Sequence, residues 1–229
     1  MVRPNVFYRD EFRRLVRAEQ PTRVLDVGCG DGECMRELRR HGIDAVGLEA
    51  DARKVAVACA AGLPVLHGDA EGLPFADGAF DLVVSEYSAH HFADLARHLA
   101  DALRVARRGV FLLDPWYDTS VPAQRVALRW DRWCKAIDRA GGMVHNDVLA
   151  AEAFRSALPA GAALAFECRH LLRLADYDRA TFERESAEFL AKARDDAAVA
   201  AELAAIRAGV ERDGLGDDGA IIVLVRRSD

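Results

Sequence analysis

The residues with the clearest chemical potential lie early in the chain: Asp26, Gly28, Gly30 and Gly32, alternating with other residues, directly after Val24-Leu25 and just before a helix-like pattern that starts at Glu33. Glycine has no Cβ and tolerates positive φ, so Gly at every second position lets the backbone approach a ligand closely. The helix start beyond it presents unpaired N–H groups. This is chemistry for holding a nucleotide-type cofactor. Glu49 closes the next apolar run, where a carboxylate can bind both hydroxyls of a ribose. Asp69, after the third apolar run, can accept from an adenine amino group while the Ala70 N–H faces a ring nitrogen. The dinucleotide fingerprint G-x-G-x-x-G needs Gly where this chain has Glu33, and the phosphate loop G-x-x-x-x-G-K-[ST] is absent.

The elements that must position these residues follow from periodicity. Residues 5–19 carry Phe7, Phe12, Leu15 and Val16 at helical spacing, and Pro21 ends that helix. Strands are expected over 23–27, 45–49, 64–66, 80–85 and 109–113, the last ending at Asp114-Pro115, with helices over 32–41, 51–61 and 93–106. Strands alternating with helices indicate a parallel sheet wound on both faces. In such sheets the ligand lies beyond the carboxyl ends of the strands, beside the first strand. Further on, helices are expected over 121–140 and 147–157, split by Gly141-Gly142, and over 178–212; strands are expected over 162–172 and 220–225. The late strands suit an antiparallel addition to the sheet edge.

The chain has 229 residues, about half of them apolar, enough for one α/β domain with a sizeable core. A net charge of −6 argues against a nucleic-acid surface, which is usually basic. No apolar run approaches the roughly 20 residues of a membrane span, and Met1–Asn5 opens no apolar signal core. A cytoplasmic location and no membrane partner are therefore expected. The five cysteines form no C-x-x-C pair, so neither a zinc site nor a disulfide framework is expected, and no metal ligands are assigned.

Five segments taken together resemble the class I S-adenosylmethionine (SAM)-dependent methyltransferases, in particular the small-molecule and ubiquinone-biosynthesis-like group. They are Val-Leu-Asp-Val-Gly-Cys-Gly-Asp-Gly (24–32), Gly-Leu-Glu (47–49), Gly-Asp-Ala-Glu-Gly-Leu-Pro-Phe (68–75), Phe-Asp-Leu-Val (80–83) and Ala-His-His-Phe (89–92). The resemblance covers roughly 22–115. It implies a doubly wound, Rossmann-like, mostly parallel seven-stranded α/β sheet with an antiparallel edge strand. One domain is expected, its core in 20–115 and 160–229 and a helical substrate-side cap in about 116–160 and 175–215. The family's frequent Lys-Pro-Gly-Gly turn is replaced by Ala106-Arg107-Arg108-Gly109, away from the site.

The resemblance also implies roles. Gly28 and Gly30 line the methionine part of SAM, and Asp26 helps to hold its amino group through the loop. Glu49 takes the ribose, Asp69 and Ala70 the adenine, and Ser85 lies near the sulfonium. The implied reaction is in-line methyl transfer to an O, N or S atom of a small molecule, dominated by positioning, with S-adenosylhomocysteine as product. An acceptor carrying a proton needs a base; the catalytic candidates are His90, His91, Tyr117 and His145, and Tyr87 and Trp116 are candidate walls. Two alternatives stand beside this reading: a tRNA-modifying methyltransferase, which needs a basic track across a cap of mixed charge, and a non-catalytic SAM-binding regulator. A nucleic-acid partner is not expected, and the chain is expected to be a monomer or homodimer.

Overall fold

The computed structural model describes residues 6–193 and 196–228. Residues 1–5, where no apolar signal core is expected, and residues 194–195, inside the helical stretch expected over 178–212, lie outside them. Among the described residues no helix is long and apolar enough to cross a membrane.

The first half follows the expected alternation. Helix α1 (Val6–Ala18) precedes β1 (Arg23–Val27), α2 (Glu33–Arg40), β2 (Asp44–Glu49), α3 (Ala52–Ala60), β3 (Val65–His67) and β4 (Phe80–Glu86). A 3₁₀ turn (Ala89–His91), α4 (Leu95–Val105) and β5 (Ala106–Trp116) complete it. Then come α5 (Pro122–Ala140), α6 (Ala151–Ser156), β6 (Leu164–Leu171), α7 (Arg179–Lys192), α8 (Ala197–Asp213) and β7 (Gly219–Arg227).

The seven strands form one sheet in the order β3-β2-β1-β4-β5-β7-β6. β1 to β5 are parallel, β7 runs antiparallel to β5, and β6 runs antiparallel to β7. The reversed strand at this side of the sheet is β7, with β6 outside it.

Side chains alternate across the sheet because the strand period is two. Val24, Leu82, Val84, Phe111, Leu113, Ile222 and Leu224 pack one face against Tyr8, Phe12, Met35 and Leu38 of α1 and α2. Leu25, Val83, Val110, Leu112, Ile221 and Val223 pack the other against Leu99, Ala102 and Leu103 of α4 and Phe154 of α6. A third core lies off the sheet: Trp130, Trp133 and Ile137 of α5 meet Phe182 and Phe189 of α7 and Leu203 and Ile206 of α8.

Two expectations are corrected. β5 continues to Trp116 because β7 pairs with it beyond the end of β4, Pro115 opposite Ala220 and Trp116 opposite Gly219. Proline is tolerated there because the strand has lost its second neighbour. The stretch 178–212 is two helices: α7 ends at Lys192, and Asp196 starts α8 by accepting from the Ala198 and Val199 N–H groups.

Candidate active site

β1 leads into the glycine loop at the point where the sheet order reverses, between β2 and β4. Gly28 has φ +71°, and a Cβ there would lie 2.5 Å from Cβ of Ser88. Only glycine fits that approach. The Gly28 and Cys29 N–H groups both donate to the Leu48 carbonyl, at 2.8 and 3.2 Å, which folds the loop over the end of β2. Glu49, the last residue of β2, is held from two sides: Oε2 accepts from the Gly30 N–H at 2.8 Å and Oε1 from the Asp51 N–H at 2.9 Å. A carboxylate has about four acceptor positions, so roughly two remain for a ligand.

The loop after β3 is fixed by α4. The buried His98 donates from Nδ1 to the Ala70 carbonyl at 2.9 Å. Burial lowers its pKa, partly offset by that hydrogen bond, which leaves a neutral ring. Glu71 accepts from the Ala93 and Asp94 N–H groups and ties the same loop to the α4 N-terminus. A cavity of about 640 Å³ begins here, walled by Gly28, Glu49, Asp69 and Ala70, and runs on beneath α5 and α7.

Its far half is lined by His90, His91, Tyr117 and His145. His90 and His91 lie on the 3₁₀ turn after β4; His145 arrives from the 141–150 loop. That loop is strapped onto the turn. The Asn146 N–H donates to the His90 carbonyl at 2.7 Å, Asn146 Nδ2 donates to the Phe92 carbonyl at 2.8 Å, and His91 Nδ1 meets the Val144 carbonyl at 2.9 Å. His90 Nδ1 bonds Asp114 Oδ1 at 2.7 Å, and His145 Nδ1 bonds Asp138 Oδ2 at 3.0 Å. Burial, with the other imidazoles, lowers the His91 pKa and lowers that of His145 to about 4, so both are neutral near pH 7. Burial and the nearby Asp131 push the Tyr117 phenol up, so it too is neutral. Tyr87 holds φ +56°, an uncommon conformation for a bulky residue, and its N–H donates to the Leu113 carbonyl at 2.7 Å.

Residues 25–113 match the family profile described as "Methyltransferase domain". They are a class I, SAM-dependent methyltransferase domain. Over 114 residues the chain is 33% identical to the uncharacterized methyltransferase YcgJ of Bacillus subtilis, covering 46% of this chain and 44% of that protein. It is 33% identical over 104 residues to ajmaline N-methyltransferase of Rauvolfia serpentina, covering 42% of this chain and 36% of that one. A phthiotriol/phenolphthiotriol dimycocerosates methyltransferase of Mycobacterium ulcerans is 34% identical over 115 residues, covering 48% and 41%. The chain thus spans less than half the length of these curated relatives. The crystal structure of YcgJ superimposes with a TM-score of 0.64, covering 96% of this chain and 99% of that one at 18% identity, which shows a shared fold.

Of the residues assigned to the methyltransferase site from sequence, Gly28, Glu49, Asp69, Ala70, His90, His91, Tyr117 and His145 line the one cavity, while Asp26, Gly30 and Ser85 do not. Asp26 projects to the α1 side of the sheet, on the same face as Val24, because strand neighbours alternate. It is 1% exposed, and neither carboxyl oxygen has a hydrogen-bond partner among the described residues. Gly30 instead holds Glu49 through its N–H. Ser85 is fully buried and donates to the Val27 carbonyl at 3.2 Å; Ser88, three residues on, donates to the same carbonyl at 2.9 Å and lines the wall.

Sequence reasoning also missed Asp131, Lys135 and Asp138, which face the cavity from α5. Their i, i+4, i+7 spacing, beside the apolar Trp130, Trp133 and Ile137, was the available signal: a polar stripe on a helix that otherwise buries its face. Asp218, whose carboxyl is pushed well up by burial and by Asp217, lies in a turn and gave no such signal.

Proposed function

We propose that this protein transfers a methyl group from SAM to a polar small molecule enclosed between the sheet edge and the helical cap. The observation that carries the reading is the continuity of one cavity, from the glycine loop and Glu49 to the chamber under α5 and α7. Its volume of about 640 Å³ is within the usual range for small-ligand sites.

The residues at the near end fit SAM. Gly28 lies against Ser88 at the cavity wall as only a residue without a Cβ can, and Glu49 retains acceptor positions suited to a ribose diol. Asp69 and Ala70 stand where an adenine edge would lie. When bound, SAM supplies an electrophilic methyl group on a sulfonium. Tyr87, Tyr117 and Trp130 line the same cavity, and aromatic rings favour such a positive charge.

At the far end, Tyr87 Oη, Trp130 Nε1 and Asp218 Oδ1 are buried without a hydrogen-bond partner among the described residues, and all three residues line the cavity. Buried polar atoms are normally paired, so a ligand carrying polar groups is their natural complement. Segments 116–160 and 175–215 act as the acceptor-side cap of a single catalytic unit, and they favour the reaction chiefly by holding the acceptor in line and excluding water. Ajmaline in the name of one relative is in keeping with a small acceptor.

A crystal structure with S-adenosylhomocysteine tests this. The expected result places adenine against Asp69 and Ala70, ribose on Glu49, and the sulfur facing the histidines. The nucleoside bound anywhere else overturns the reading.

A further inference from the structure

Three imidazoles meet at the acceptor end of the cavity. The ring centroids of His90 and His91 are 4.4 Å apart, those of His91 and His145 4.3 Å, and those of His90 and His145 5.3 Å. One ring nitrogen of each lies within 4.8 Å of one from each of the others.

In all three rings Nδ1 faces an acceptor: the Asp114 carboxylate for His90, the Val144 carbonyl for His91 and the Asp138 carboxylate for His145. A neutral imidazole has one N–H and one lone pair. A carbonyl or carboxylate partner draws the hydrogen to Nδ1, which leaves the lone pair on Nε2. No Nε2 of the three has a hydrogen-bond partner among the described residues. Three Nε2 atoms without a partner among the described residues thus belong to one pocket.

We infer that His90, His91 and His145 bind one divalent transition-metal ion of the zinc class through Nε2, with the fourth position open to the cavity. Metal-bound histidines almost always donate their other N–H to a carboxylate or a backbone carbonyl, which is the arrangement in all three rings here. Asp114 and Asp138 also place negative charge directly behind two of the ligands, offsetting the charge of the ion. Zinc–imidazole bonds are about 2.0–2.1 Å, so the rings, with ligand nitrogens up to 4.8 Å apart, draw together and turn toward the ion on binding. Tri-imidazole sites with an open position are typical of ions that act on a bound substrate. The cysteine spacing that argues against zinc in the sequence concerns thiolate ligands and leaves imidazoles untouched.

The binding site stands without the methyl-transfer reading; the role of the ion rests on it. Under that reading the open position takes the donor atom of the acceptor, which favours an acceptor with a hydroxyl or thiol group. Coordination lowers the pKa of such a group, so that its proton passes to water near neutral pH and its oxygen or sulfur bonds the methyl carbon as the methyl–sulfonium bond breaks.

The test is chelator treatment of the whole chain, dialysis, and titration with zinc chloride, with cobalt(II) as a visible-absorption probe of the ligand geometry. One ion per chain is expected, with a cobalt spectrum typical of nitrogen-ligated tetrahedral sites. His91→Ala and His145→Ala each weaken zinc binding more than about tenfold, and Asp138→Ala by about 10- to 100-fold. Unchanged circular dichroism and an unchanged urea-unfolding midpoint in these variants separate lost ligation from lost fold. No stoichiometric ion, or an ion indifferent to these substitutions, overturns the inference. S-adenosylhomocysteine binding without zinc overturns this site alone; zinc binding without the nucleoside upholds this site and overturns the methyl-transfer reading.

Discussion

Asp26 is buried beside Glu86 and Arg13, and burial, then the charge of Glu86, raise its pKa to about 8 against the partial opposition of Arg13. Between the ordinary carboxyl value of about 3.9 and that raised value, the folded chain keeps a proton that the unfolded chain has released. The sign follows: stability is greatest below the ordinary value and falls as pH rises through the window, by about 1.4 kcal/mol per pH unit. Asp26→Asn has no charge to bury and removes this slope. Urea unfolding is expected to show the variant gaining on the parent chain from pH 5 to pH 7; a difference independent of pH contradicts the assignment. The same residue shows how strand direction decides which single positions reach the cavity. Val27 and Gly28 reach the cavity, whereas Asp26, on the opposite strand face, is turned into the core with Val24. Glu49, Asp69 and Ala70 were legible because they end strands or begin the loops that follow, where direction matters less than place.

Asp81, from the Phe-Asp-Leu-Val segment, works at the scale of elements, at the end of the sheet away from the cavity. Oδ2 accepts from the Thr22 N–H, the Thr22 hydroxyl and the Arg23 N–H at 2.8, 2.7 and 3.0 Å; Oδ1 accepts from Arg107 at 2.8 Å. One carboxylate therefore fastens the starts of β1, β4 and β5. Burial works to raise its pKa, but the Thr22 and Arg107 bonds outweigh it and hold the group well below the usual carboxylate range. A depressed folded value stabilises above the unfolded pKa, and that contribution is lost as pH falls. Asp81→Asn is expected to cost about 1.5–3 kcal/mol at pH 7, with the deficit shrinking as pH falls below about 4; a deficit unchanged in acid contradicts the account. Periodicity placed nearly every element here. It missed the division at Asp196, where a polar N-cap lies inside an Ala-rich run, and the extension of β5, which depends on pairing with a strand a hundred residues later in sequence.

In the molecule as a whole, the sheet's switch point and a separate helical core share one cavity. The half walled by Gly28, Glu49, Asp69 and Ala70 was legible as a cavity wall because these residues end β2 or follow β1 and β3. The acceptor half was not, because His145 meets His90 and His91 only when the 141–146 loop folds back and Asn146 and His91 bond across it. No local pattern records that return. Glu49 is the proposed anchor of SAM in this cavity. Calorimetric titration of the chain and of Glu49→Ala with SAM tests that role. One SAM per chain is expected, bound about tenfold to a hundredfold more weakly by the variant, with folding retained. Absence of binding to the parent chain, or equal affinity in the two, would contradict it.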